Sequence, residues 1–159
     1  MGPRRAANRQ PRGLARPGFL ATRSLTAKIA AVHRRLEEAE IPHAFGGAVA
    51  LGYYAEPRET TDIDVNVFVP AQQSEMKFDW EGTPVHFFFS CDPLHEEMER
   101  AVRTVSLGDG TIPLVAPEHL VIRKTLLGRP KDRKDIEAIL AATPVDLEEV
   151  DIWVKRLTG

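Results

Sequence analysis

Cysteine is almost missing from this chain: Cys91 stands alone among 159 residues. A single thiol excludes an intrachain disulfide framework and fits a reducing, cytoplasmic setting. With no Cys-x-x-Cys neighbour, Cys91 reads as a packing or surface thiol. The five histidines show no His-Glu-x-x-His or similar zinc spacing. No apolar run approaches the roughly 20 residues needed to span a bilayer, so no membrane partner is expected. Acidic residues are missing from positions 1–36, which hold nine Lys or Arg; the remainder holds twelve basic and all twenty-three acidic residues. The arm from Met1 to Arg23 lacks the apolar core of a secretory signal, and Ala6 stands where myristoylation requires Ser or Thr. Its composition suits a mitochondrial transit peptide, but its prolines spoil an amphipathic helix. It reads as a disordered leader or, alternatively, as a nonspecific clamp on a phosphate backbone. The chain therefore divides into a basic arm, 1–23, and one domain, 24–159, long enough for a real core.

The most informative stretch runs from Phe45 to Pro70. It opens with Gly46-Gly47 after a short apolar run and closes with Asp62-Ile63-Asp64 leading into Val65, Val67 and Val69. Alternation after Ile63 predicts a half-buried strand over about 61–69. Residues two apart on a strand share a face, about 6.5–7 Å apart along it, so Asp62 and Asp64 lie side by side. Like charges that close repel unless water or a cation sits between them. Paired carboxylates on a rigid strand suit Mg²⁺, with Mn²⁺ as a substitute, because such ions take oxygen ligands and bridge to substrate phosphates. A Gly-Gly turn lets backbone approach a phosphate, and the helix that follows aims its N–H groups at it. Arg58, in the loop between, reads either as a phosphate ligand or as a salt-bridge partner of Glu56 or Glu59.

Around this stretch the periodicities alternate. Thr22 or Ser24 can cap a helix with Leu25, Ile29, Val32 and Leu36 on one face, ended by Pro42. His43–Phe45 is a short strand. Residues 76–80 and 83–90 alternate around Glu81-Gly82, as a hairpin does. Asp92-Pro93 starts a helix carrying Leu94, Met98 and Val102. A second hairpin turns at Gly108-Asp109-Gly110. Helices then start at Pro117, Pro130 and Asp146. The expected fold class is α/β (α+β): a small mixed sheet flanked by helices, with a helical C-terminal third.

Gly46-Gly47 followed after fourteen residues by Asp62-Ile63-Asp64 resembles the signature of the nucleotidyltransferase superfamily, whose fold is shared with DNA polymerase β. The run Pro57–Thr61 and the stretch from Pro117 to Ile136 resemble a small bacterial branch that includes AbiEii-type toxins. The resemblance spans roughly 25–140. It implies the minimal nucleotidyltransferase fold, with Gly46 and Gly47 at the phosphates and Asp62 and Asp64 on the metal. Lys124, Lys131, Asp132 and Asp135 would flank the nucleotide; their other reading is a charged helix face. The implied activity moves a nucleotidyl group from an NTP to a hydroxyl of an RNA, protein or small molecule. An antitoxin is a further implied partner. The superfamily usually carries a third carboxylate on the strand after the hairpin, and here that position is His86. Imidazole is a poor Mg²⁺ ligand but takes a proton near neutral pH. Asp79 or Asp92 could supply the carboxylate instead, or none does and the protein binds nucleotide without turning it over.

Overall fold

Helix starts follow side-chain caps that the chain supplies itself. In the computed structural model, which describes residues 24–56 and 62–159, the Ser24 hydroxyl accepts the Ala27 N–H at the head of α1 (Leu25–Glu38). Asp92 and Asp146 do the same for α3 (Pro93–Arg100) and α6 (Leu147–Thr158). Such caps satisfy backbone donors that the first turn leaves unpaired. Pro117 and Pro130 open α4 (Pro117–Leu127) and α5 (Pro130–Ala142), where a missing N–H costs nothing, and Gly128 closes α4 in the left-handed region. The arm before Ser24 and the loop carrying Arg58 lie outside the described residues.

The strands are β1 (His43–Phe45), β2 (Ile63–Pro70), β3 (Glu75–Trp80), β4 (Thr83–Ser90), β5 (Arg103–Leu107) and β6 (Gly110–Leu114), with α2 (Gly47–Tyr54) between β1 and β2. They form one sheet in the order β3-β4-β2-β1-β6-β5. β2 runs parallel to β4 and β1 parallel to β6, while the other neighbours are antiparallel. The expected mixed sheet with flanking helices and a helical C-terminal third is therefore what the chain forms. Both hairpins close through two-residue loops, Glu81-Gly82 and Gly108-Asp109. Glu81 and Gly82 both adopt positive φ, the conformation that matches the twist of the strands they join.

The half-buried strand expected after Ile63 is in fact central and covered on both faces. Ile63, Val65 and Val67 are buried, and so are Asn66 and Phe68 on the opposite face. A strand with a parallel neighbour in a helix-flanked sheet is enclosed twice, and alternation alone does not reveal that. The Val65 face takes α1: Lys28 donates to Thr83 Oγ1 and to the Glu81 carbonyl, each at 2.8 Å, and His33 meets His43. The Asp64 face takes α2, α4 and α5. Tyr54 at the end of α2 donates to the Val115 carbonyl at 2.6 Å, and Thr143 after α5 donates to the Tyr54 carbonyl at 2.6 Å. These two bonds fix the helices over the edge of the sheet where Gly46, Gly47 and Asp64 meet.

Candidate nucleotide and metal site

Gly46 is the first residue after β1, and its N–H donates to the Asp64 carbonyl at 3.0 Å. That bond sets the start of α2 against the start of β2. Gly47 then adopts φ +52, a conformation open to glycine at little cost. A Cβ at Gly47 would collide with the Asp64 carboxylate. A Cβ at Gly46 would lie 2.8 Å from Asn66 Nδ2. The glycine pair is thus required by close approach to the acidic strand, because neither position has room for a side chain.

Asp64 sits on β2 with its side chain 29% exposed, and Asp62 is exposed just before the strand. Burial pushes the Asp64 carboxyl above the usual carboxylate range. His86 pulls it down, Asp62 raises it further, and Lys124 and Lys131 pull it down. The strand register explains the histidine: Asp64 and His86 are direct partners across parallel β2 and β4, so both side chains leave the same face. His86 Nδ1 lies 3.9 Å from Asp64 Oδ1. The other ring nitrogen, Nε2, lies 3.2 Å from Glu75 Oε2 on β3, yet it is buried and finds no aligned hydrogen-bond partner among the described residues. The Phe88 ring leans on the imidazole with centroids 3.9 Å apart and fixes its position. Phe87 points to the opposite face, edge-on to Phe78.

The two carboxylates considered as substitutes for His86 have other partners. Asp79 Oδ2 accepts the Gly82 N–H in the β3–β4 turn at 2.9 Å. Asp92 caps α3 and receives both terminal nitrogens of Arg123 at 3.1 and 3.3 Å.

The C-terminal helices supply positive charge. Lys124 on α4 is buried, with Nζ 2.8 Å from Asp135 Oδ2 and 3.8 Å from Asp132 Oδ1. Asp132 is fully buried, and it accepts from the Arg129 backbone N–H and from its Nε and Nη2. These bonds to Arg129 hold its carboxyl below the ordinary range. Lys124, Asp132 and Asp135 therefore form a buried ionic junction between α4 and α5, with Lys131 exposed beside it. Arg129, which the sequence reading passed over, is half exposed and close enough to Asp64 for the two charges to interact. Its signal in the sequence was its place directly before Pro130, at a helix N-terminus. Glu75 was also passed over; only the β3–β4 register brings it to His86.

No family model matches the chain, and no curated protein sequence matches it. The similarity that does emerge is structural. An antigenic nucleotidyltransferase-like protein from Paracoccidioides brasiliensis superimposes with a TM-score of 0.51 at 14% identity, over 74% of this chain and 74% of that one. The fold is nucleotidyltransferase-like. Among the described residues no helix is long and apolar enough to cross a membrane.

Proposed function

We propose that the protein transfers a nucleotidyl group from an NTP to a hydroxyl acceptor. One observation carries this reading: Asp64 and His86 face each other across β2 and β4 at 3.9 Å, with the Asp64 carboxylate packed against Gly47 at the start of α2. Two adjacent carboxylates, one of them partly buried beside a like charge, form a donor set suited to Mg²⁺ or Mn²⁺. The absence of a Cβ at Gly47 is what lets the Asp64 carboxylate lie directly against the start of α2. Asp62 and Asp64 would hold the ion, and when bound it would neutralise charge on the triphosphate. Gly46 and Gly47 would bring backbone against phosphate. Arg129 and Lys131, with Arg58 from the intervening loop, would balance the pyrophosphate charge as it develops.

His86 would take the proton from the acceptor hydroxyl. A neutral imidazole accepts a proton near neutral pH, and this one has Asp64 nearby to stabilise the charge it gains. Lys124 and Asp135 would act at one remove: their mutual bond keeps α5, and with it Lys131, in place over the site.

A second reading is a nucleotide-binding protein without turnover, such as one half of a toxin–antitoxin pair. It rests on the imidazole at the third acidic position and on the engagement of Asp79 and Asp92 elsewhere. Thermal-shift measurements with each of the four NTPs, with and without Mg²⁺ or Mn²⁺, test the binding step. A nucleotide-specific, metal-dependent rise in Tm is expected. Incubation of the selected NTP, labelled at the α-phosphate, with RNA and protein acceptors then separates the two readings. No shift with any NTP would overturn both.

A further inference from the structure

A second set of metal-ligating side chains lies on the other face of the sheet. His33 and Glu37 are one turn apart on α1, so their side chains share a helix face. The chain leaves α1 through a tight turn in which Glu40 adopts φ 56 and the Ile41 N–H returns to the Leu36 carbonyl at 2.9 Å. That turn brings His43 on β1 back beneath His33. His43 is 4% exposed, and its Nδ1 lies 2.8 Å from the Ile41 carbonyl. A carbonyl only accepts, so Nδ1 carries the proton and the Nε2 lone pair points outward. It points at His33 Nδ1, 2.8 Å away. One ligand atom each from His33, Glu37 and His43 lies within 4.8 Å of the other two.

From this geometry we infer that His33, Glu37 and His43 form a binding site for a divalent transition-metal ion, Zn²⁺ foremost, separate from the acidic pair. Two imidazole nitrogens and one carboxylate are a three-ligand donor set that Zn²⁺ takes while keeping a fourth position open. The Ile41 carbonyl fixes the tautomer and orientation of His43, as outer partners of metal-bound histidines do. Nitrogens about 2.0–2.1 Å from a tetrahedral zinc stand about 3.3–3.4 Å apart, so the histidines need separate by only about half an ångström. His33, half-buried at the surface, can supply that movement by side-chain rotation. His33 and Glu37 also line two surface depressions that share Thr111 and Ile112, which leaves the open position facing solvent or a small ligand.

The site cannot be a second view of the acidic one. His43 and Phe45 pair with Val67 and Val65, whose side chains leave the face opposite Asp64. A competing cluster, Cys91, Asp92 and His95, is already occupied by a cation: the Arg123 guanidinium lies 3.1 Å from Asp92 Oδ2 and 3.1 Å from His95 Nε2.

The test uses tag-free, chelator-treated full-length chain. Co²⁺ serves as the spectroscopic probe, through the visible bands of its low-coordinate complexes, and Zn²⁺ competes against a chromogenic chelator for affinity. One equivalent of Zn²⁺ per chain is expected, with a rise in Tm. His33→Asn and Glu37→Gln alter residues outside the packed core, and each should weaken Zn²⁺ binding by about tenfold or more while leaving circular dichroism unchanged. Asp64→Asn and Cys91→Ser should leave it unaltered. Absence of stoichiometric Zn²⁺ binding overturns the inference. So does binding that survives His33→Asn and Glu37→Gln, or binding that is lost in Asp64→Asn.

Discussion

Lys124 on α4 and Asp135 on α5 hold each other at 2.8 Å inside the protein, with side chains 8% and 7% exposed. Removing one member of a buried pair leaves an uncompensated charge, which typically costs about 3–5 kcal/mol. Lys124→Met removes the cation 2.8 Å from Asp135, so a loss of that size in urea unfolding is expected. The double variant Lys124→Met/Asp135→Leu should lose clearly less, because the charge left without its partner has gone too. If the single and double variants are equally destabilised, the lysine contributes packing and not charge pairing. NTP affinity of the double variant then shows whether the pair does more than place Lys131.

Asp64 gives a pH dependence of definite sign. Its folded-state carboxyl is raised above the ordinary aspartate range, first by burial and also by Asp62, against the pull of His86 and the lysines. The folded state therefore holds its proton more tightly than the unfolded state does. Stability contributed by that proton is present below the unfolded value and is lost as pH rises through the folded one. Metal-free Asp64→Asn should melt above the parent at pH 7, and the gap should close as pH falls towards 4. The same substitution, and Asp62→Asn likewise, should abolish metal-dependent NTP binding measured by calorimetry. Unchanged affinity in both variants would sink the metal-site reading.

His86 separates turnover from binding alone. General-base groups contribute about 10²–10⁴-fold to rate, so His86→Gln should reduce kcat by such a factor and leave NTP affinity nearly intact. His86→Asp is the sharper variant. It places a carboxylate beside Asp64, as the sequence resemblance implies for this position, but removes the imidazole proposed as the base. Reduced turnover is expected. A gain would mean that the parent chain had lost catalysis at this position and acts by binding nucleotide.

How much of this was legible beforehand depends on whether an interaction is local. Helix starts were readable because Ser24, Asp92 and Asp146 cap within their own first turns. Both hairpins were readable from Glu81-Gly82 and Gly108-Asp109. The pairing of His86 with Asp64 rests on the parallel β2–β4 register, which joins residues 22 positions apart and leaves no periodic trace. Glu75 reaches His86 through a further register. Lys124, Asp132 and Asp135 stood out as a charged run, yet Lys124 reads alike whether it faces solvent or Asp135, because burial between α4 and α5 is tertiary. Arg58 lies outside the described residues, so its two readings stay as the sequence left them.

Gly47 is the position where backbone and site are most tightly joined. Its φ of +52 is disfavoured for any residue with a Cβ, by roughly 1–2 kcal/mol. Gly47→Ala adds a contact with the Asp64 carboxylate, a group on the central strand with little freedom to move away. At Gly46 the obstacle is one end of the Asn66 side chain at 2.8 Å, without an unfavourable φ. The two alanine variants should therefore differ. Gly47→Ala is expected to lower stability by at least about the left-handed penalty, read from denaturant unfolding, and to lose metal-dependent NTP binding because Asp64 is displaced. Gly46→Ala should be milder in both measurements. Equal NTP affinity in Gly47→Ala and the parent would mean that the junction of Gly47 and Asp64 is not where the phosphates lie.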